Sequence, residues 1–381
     1  MGIDIATYKR IADVPADDWD RVSTSLSTRH AFLGEVETLV PLAADPRYIV
    51  VSRDGSVIAT AACYIERVAE YATLEQAVYG RLHRLFRLFA LGLNPCLAGQ
   101  SRLSGVLHGV EVDAPPGGRE AICRLVLEAM AEIAGAEGIA QQGFVNLPAD
   151  EVALSNALAS AGYARKFSAF DVHFDVSWGS FDDYLHSFAH KSRYSIRREL
   201  ANIERLGIKT ERLAHWGGYR DDLISLFSEN YSRYQGRPSK MSASFLAAVV
   251  EKFPDNVGFV VDTKNGRVVS GSMYFKWPGA MYVFKVGRDS ALARNTASFF
   301  NTSVYELLKI AIASGCRKIY HGTGAYNYKV QRGASLTPMH MHVKCSSPVK
   351  QAFIRGIFPV LGRLKHRKHL RMLSRGERPK G

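Results

Sequence analysis

Cysteine is scarce and scattered in this 381-residue sequence: Cys63, Cys96, Cys123, Cys316 and Cys345 form no CxxC pair and have no histidine at metal spacing. An odd, dispersed set of this kind excludes a disulfide framework and predicts reduced thiols in a cytoplasmic protein. No apolar run approaches the ~18 residues of a membrane helix. The opening segment "MGIDIATYKRIADVPADDWD" carries acids and lacks an apolar core of signal-peptide length. Secretion and membrane spanning are therefore not expected. Nor does Gly2 begin a lipidation motif, because Thr7 stands one place too far along. Acidic residues are also in deficit, 36 against 49 Lys plus Arg, which leaves a formal charge of +13. That balance favours a polyanionic partner such as RNA, a nucleotide or an acidic membrane surface, although solubility alone can also use it.

Apolar residues make up 47% of the chain, enough to bury a core, and the length suits two domains. The chain repeats itself. Residues 52–64, "SRDGSVIATAACY", and 263–275, "TKNGRVVSGSMYF", share one grammar: Asp-Gly or Asn-Gly, then a β-branched run ending in an aromatic. Each predicts a β-hairpin. Upstream, "AFLGEVETLV" (31–40) matches "SFLAAVVEKF" (244–253). Downstream, "AICRLVLEAMAEIAGAEGI" (121–139) matches "TSVYELLKIAIASGCRKI" (302–319), each read as a helix ended by Gly before a strand. The first copy carries an insertion over about residues 65–105. The expected architecture is α/β with mixed sheets, in two related domains at 1–175 and 176–348, followed by a basic tail at 349–381.

"HKSRYSIRRELANIERLGI" (190–208) places Lys191, Arg193, Arg197 and Arg198 on a helix whose Ile196, Leu200 and Ile203 form an apolar stripe. A solvated basic face and a phosphate-binding face both fit this pattern.

The element order of each copy resembles that of the GCN5-related acetyltransferase (GNAT) fold. Two copies in one chain resemble the tandem GNAT architecture of the Fem family, whose members transfer amino acids from aminoacyl-tRNA to amines. Two motifs carry the resemblance. "KSRYSIRRELANIERLGI" is similar to the Fem motif in which Lys-x-Arg-Tyr-x-Ile-Arg opens a long helix. "GAYNYKVQRGA" (324–334) is similar to the Fem loop with Gly, two aromatics, Lys and a basic turn. The resemblance implies an acyltransferase with no resident cofactor, aminoacyl-tRNA as donor, and a cell-wall precursor or specialised metabolite as amine acceptor. It further implies that Lys329 and Tyr328 are catalytic and that Tyr326, Asn327 and Arg332 contact substrate.

Other residues are read from their chemistry. His321, at the end of the predicted strand "KIYHGTG", has the side chain to deprotonate an ammonium. For the basic helix the resemblance implies that Lys191, Arg193 and Arg197 face a groove, and phosphate contact is then the preferred reading. Tyr231, Arg233, Tyr234 and Arg237, in an expected loop "ENYSRYQGRPSKMS" (229–242), offer flat faces and forked donors for a carboxylate or phosphate. His340 and His342 alternate as on a strand, but no third metal ligand accompanies them, and no metal is expected. No Ser-His-Asp or Cys-His grouping points to an acyl-enzyme.

Two alternatives stay open. An acyl-CoA or acyl-carrier-protein donor is favoured by Gly117, Gly118 and Arg119 at a helix start, and disfavoured by "GRDSALARNTASFF" (287–300), which has Arg288 and Arg294 but no glycine pair for a pyrophosphate. A non-catalytic GNAT-like RNA-binding protein would also suit the charge. The C-terminal run "RGIFPVLGRLKHRKHLRMLSRGERPKG" reads as a tail that binds tRNA, lies on an anionic bilayer or is simply solvated.

Overall fold

The structure is a computed structural model that describes residues 2–39, 44–66, 96–99, 111–113, 116–235 and 242–375. Most of the 65–105 insertion, Arg237 and the last six residues lie outside the described residues. The chain divides into two compact units, one of residues 1–171 and 337–376, the other of 172–336 with residues 377–381.

The first unit runs β1 (Ile3–Tyr8), α1 (Ala16–Asp20), α2 (His30–Leu39), β2 (Ala44–Arg53), β3 (Ser56–Glu66), β4 (Cys96–Gly99), β5 (Glu111–Val112), α3 (Pro116–Ala136), β6 (Gln141–Pro148), α4 (Val152–Ser160) and β7 (Ala164–Asp175). The order β1-β2-β3-β4-β6 is antiparallel except where β4 lies parallel to β6, and β5 pairs with β3. Because the sheet is covered on both faces, β2 is apolar at successive positions rather than at alternate ones. Ile49 and Val51 pack with Ile122, Val126 and Met130 of α3, while Tyr48 and Val50 pack with Trp19 and Leu33.

The second unit contains α5 (Phe181–His186), α6 (His190–Arg205), β8 (Lys209–Leu213), α7 (Arg220–Gln235), α8 (Ala243–Lys252), β9 (Val257–Lys264), β10 (Arg267–Trp277) and β11 (Ala280–Arg288). A continuous helix, α9, follows over 298–313, and its residues Asn301–Tyr305 form a π-helical turn. Then come β12 (Lys318–Gly322) and α10 (Tyr326–Val330). The order β8-β9-β10-β11-β12 repeats that of the first unit, again antiparallel except for the parallel pair β11 and β12.

Both hairpins form as the dipeptides predict. Asp54 and Gly55 have φ of 49° and 78°, Asn265 and Gly266 of 50° and 74°, and the flanking pairs Arg53↔Ser56 and Lys264↔Arg267 close two-residue loops. Positive φ at both central residues matches the right-handed twist of the strands, and Asx-Gly reaches it at low cost.

The expected domain boundaries differ from the division found. Each unit completes its sheet with a strand from a distant part of the chain. The end of β7 pairs with β12 in the second unit, from Val172 to Asp175. In the first unit β13 (Ser335–Cys345) pairs with β6. The expected tail at 349–381 is likewise largely a helix, α11 (Pro348–Arg375), belonging to the first unit. Its Ile354 and Phe358 are fully buried against Val145, Met341 and Val343. Ile354 and Phe358 stand four positions apart, so one side of the helix docks, while the basic residues that dominate its C-terminal half mask the stripe in the sequence. Phe358→Ala should therefore lower unfolding free energy by about 3–5 kcal/mol, the cost of emptying a filled aromatic site. Chemical denaturation checks this, since a solvated tail would show no change.

Candidate active site

The parallel pair β11 and β12 is short. Only Ala280–Tyr282 of β11 meet Lys318–Tyr320 of β12, although β11 continues to Arg288. From Val283 onward that edge of β11 has no strand partner among the described residues. Tyr282 to Val286 are accordingly only half-buried on an interior strand. On the opposite edge, Met273 pairs with Lys285 but Tyr274 pairs with Val283, which leaves Phe284 as a one-residue β-bulge. A bulge frees a peptide from the ladder and re-aims the neighbouring side chains. Together these features leave a stretch of β11 from Val283 onward outside the regular ladder on one edge, and irregular on the other.

Helix α7 lies over this part of β11. Gly271 and Gly287 are cross-strand partners, and a Cβ on Gly287 would come 2.7 Å from the Leu226 backbone, while one on Gly271 would overlap the Leu223 side chain. The helix thus rests directly on the strands. Just over a turn later Tyr231 covers Lys285, whose Nζ lies 5.6 Å from the Tyr231 ring centre and 5.5 Å from that of Phe284. Aromatic faces attract the ammonium without neutralising it. Burial lowers the Lys285 pKa from the usual 10.5 to about 8. Sequence reasoning missed Lys285; the available signal was a lone charge inside the apolar strand "AMYVFKV".

The segment carrying the expected catalytic residues is a single helical turn, α10, not a loop. It begins after Ala325, which has φ of 52°. Lys329 Nζ donates to the His321 carbonyl at 3.2 Å, so these two expected residues do meet. The His321 imidazole is buried against Phe174, and burial followed by the Lys329 charge holds its pKa well below the usual value. It is neutral at physiological pH and holds a proton poorly. Tyr328 packs on Phe300, with ring centres 5.6 Å apart; Tyr326 and Asn327 are buried.

Arg332 is committed within the protein. Its guanidinium donates to both Glu199 carboxylate oxygens at 2.8 Å, to the Tyr305 hydroxyl at 2.8 Å and to the Tyr328 carbonyl at 3.0 Å. It also stacks 3.5 Å from the Phe300 ring centre. The Tyr305 hydroxyl donates to Glu199, and Tyr184 donates to the Arg332 carbonyl at 3.0 Å. A guanidinium whose three nitrogens are engaged by three residues and whose face is stacked fixes geometry.

Glu199 lies on α6, the basic helix. Ile196 and Ile203 are buried as expected and Leu200 partly so, while Lys191 and Arg197 are exposed and Arg193 is half-buried. None of these three cations has an ion-pair partner among the described residues. Asn202 of α6 donates to the Asn295 carbonyl at 3.0 Å, in the loop leading to α9. In that loop Asn295 and Ala297 both have φ of 61°. The start of α9 is anchored by buried Asp262, which accepts from Thr210 and Ser298 at 2.7 Å and from Asn301 at 3.0 Å. Burial outweighs these donors and pushes Asp262 up to about 6.

The remaining expected residues fall differently. Tyr231 and Arg233 lie in the last turns of α7 rather than in a loop, with Arg233 exposed. Tyr234 is helical, but its side chain and all of Arg237 lie outside the described residues. Gly117 and Gly118 sit inside the first turn of α3. His340 and His342 belong to the first unit, where Arg165 meets His340 at 3.0 Å.

The chain matches the FemAB-like family, described as peptidoglycan biosynthesis/recognition, over residues 107–355. No curated protein matches it. Among solved structures it is similar to FemX, with a TM-score of 0.60 and 12% identity over 90% of this chain and 98% of that one. A conserved protein of unknown function from Bacteroides thetaiotaomicron gives a TM-score of 0.55 and 10% identity over 87% and 98%. A tandem GNAT protein from the clavulanic acid biosynthesis pathway gives 0.50 and 10% over 91% and 99%. At these identities the likeness establishes the fold, tandem GNAT, and nothing finer.

Close packing of α7 on the glycine pair predicts a strong local effect. Gly287→Ala should destabilise the protein by about 1–3 kcal/mol, the usual cost of overpacking. It should also lift Tyr231 from Lys285, raising the lysine pKa. Thermal unfolding and lysine-resolved NMR titration measure the two effects.

Proposed function

Because this chain belongs to the FemAB-like family, we propose that it is an acyltransferase that forms an amide on an amine acceptor, with aminoacyl-tRNA as donor. The observation that supports this reading is the stretch of β11 from Val283 onward, where a strand edge without a partner among the described residues, a lysine of lowered pKa and aromatic side chains come together. Acyl transfer needs these parts: a neutral amine, a carbonyl held nearby, and donors where the oxyanion develops.

In the proposed reaction the acceptor nitrogen attacks the ester carbonyl of the donor. A C–N bond forms, the C–O bond to the tRNA ribose breaks, and the ribose hydroxyl leaves with a proton. Backbone N–H groups on the open edge of β11 polarise the carbonyl, and the Lys329 ammonium, held by the His321 carbonyl, stabilises the oxyanion. Lys285 takes the proton from the acceptor ammonium, since a base with a pKa of about 8 is better matched to that task than the strongly depressed His321 imidazole. Lys191, Arg193 and Arg197 bind donor phosphates. Their helix is joined to the Lys329 segment through Glu199 and Arg332, so phosphate binding and catalytic geometry are coupled. The loop before α9 lacks the glycine pair that would cradle a CoA pyrophosphate, which favours the tRNA donor over CoA.

The deciding experiment incubates the protein and an amine acceptor with charged tRNA, acyl-CoA, acyl-carrier protein or no donor, and follows amide formation. Product with charged tRNA alone supports the proposal, product with acyl-CoA alone replaces the donor, and no product with any donor favours a non-catalytic RNA-binding role. Lys329→Ala should reduce turnover by about 10²–10³, the loss expected for one oxyanion donor. Near wild-type turnover would remove Lys329 from the mechanism.

A pH profile tests the proton acceptor. Lysine is a base only when neutral, so kcat/KM should climb with pH up to about 8 and level off above it. Lys285→Met should abolish that rise. A rise near 8 that survives the substitution would assign the proton to another group.

A further inference from the structure

The outer face of α11 plays no part in the chemistry above. Its inner face is fixed by buried Ile354 and Phe358 and by Gly362, where a Cβ would come 3.1 Å from the Phe167 backbone nitrogen. The opposite face is therefore held outward. On it Val360 is 53% exposed, Leu364 58% and Leu370 46%. Arg363, Arg367 and Lys368 are exposed beside them. Val360, Arg363, Leu364 and Arg367 stand at i, i+3, i+4 and i+7, so they share one face of the helix. From Pro348 to Arg375 there is no aspartate or glutamate.

We propose that this outer face of α11 docks the protein peripherally on an anionic lipid bilayer. Aliphatic and basic side chains alternating on one exposed helical face fit the bilayer interface. The aliphatic groups enter the headgroup–acyl boundary, and the arginine stems lie along it with their guanidinium groups at the lipid phosphates. Charge complementarity selects anionic lipid, because nothing on the helix offsets its positive charge. Nucleic acid would satisfy the basic residues equally but gives Val360 and Leu364 no apolar surroundings. The same helix has a second apolar stripe on its inner side, which the protein itself already covers. The outer one remains exposed.

The test uses the full chain in flotation assays with vesicles of phosphatidylcholine alone and of phosphatidylcholine mixed with phosphatidylglycerol. Binding should appear only with phosphatidylglycerol and weaken as salt is raised. Each basic residue near such a surface contributes about 1 kcal/mol, so Arg363→Gln, Arg367→Gln and Lys368→Gln together should weaken binding on the order of 100-fold. Val360→Ser with Leu364→Ser should cost at least about tenfold, from lost apolar burial alone. Both variants alter outward side chains, and an unchanged melting temperature confirms an intact fold. As a second measurement, Leu364→Trp should give a blue-shifted emission with phosphatidylglycerol vesicles and none with phosphatidylcholine. Failure of the wild-type chain to float with anionic vesicles overturns the proposal. So does flotation indifferent to the serine substitutions, or a tryptophan emission that does not shift. If the triple glutamine variant instead loses tRNA affinity while vesicle binding is absent in the wild type, the face belongs to nucleic acid.

Discussion

Arg332 ties the second unit together. One guanidinium joins Glu199 on α6, Tyr305 in the π-helical turn of α9 and the Tyr328 carbonyl of α10, while its own carbonyl takes the Tyr184 hydroxyl. These elements lie far apart in sequence, and a planar group with five fixed donors is well suited to hold them in one arrangement. Removing Glu199 would strand a buried positive charge, which is costlier than the pair is favourable. The position of Lys329, three residues before Arg332, depends on this arrangement, as does the outward aim of the basic face of α6.

A second constraint is the absence of side chains at Gly271 and Gly287. It lets α7 lie on the strands, and it thereby places an aromatic ring over Lys285. The ring and the bulge at Phe284 act on the same short stretch of β11, which has no strand partner on its other edge among the described residues. Burial, aromatic cover and an unpaired strand edge thus coincide on one short stretch of β11.

The repeat gives a chain with two copies of one sheet, and the copies have diverged in use. The second carries the network around Arg332 and the lysine under Tyr231. Within the first, α11 adds an outer helix with apolar stripes on two opposite sides, one buried and one exposed. Such a helix has no single apolar face, so the periodicity that reveals α6 is blurred there.

Local chemistry was legible from residues alone. Asp54-Gly55 and Asn265-Gly266 dictate their turns because few dipeptides tolerate positive φ twice, and Ile196, Leu200 and Ile203 dictate the inner face of α6 because helical periodicity leaves one choice. The repeat could be read for the same reason, because it rests on short-range spacing, while the tandem GNAT fold came from the resemblance to the Fem family carried by the motifs around Arg193 and Lys329. Only the tertiary structure decided that β13 and the end of β7 complete their sheets as they do, that α11 packs rather than trails, that Arg332 is occupied within the protein and that Lys285 lies under Tyr231. Those outcomes depend on which distant surfaces meet. A lysine in an apolar strand, or an arginine after a helical turn, carries no local signal of the partner that sets its charge and its role.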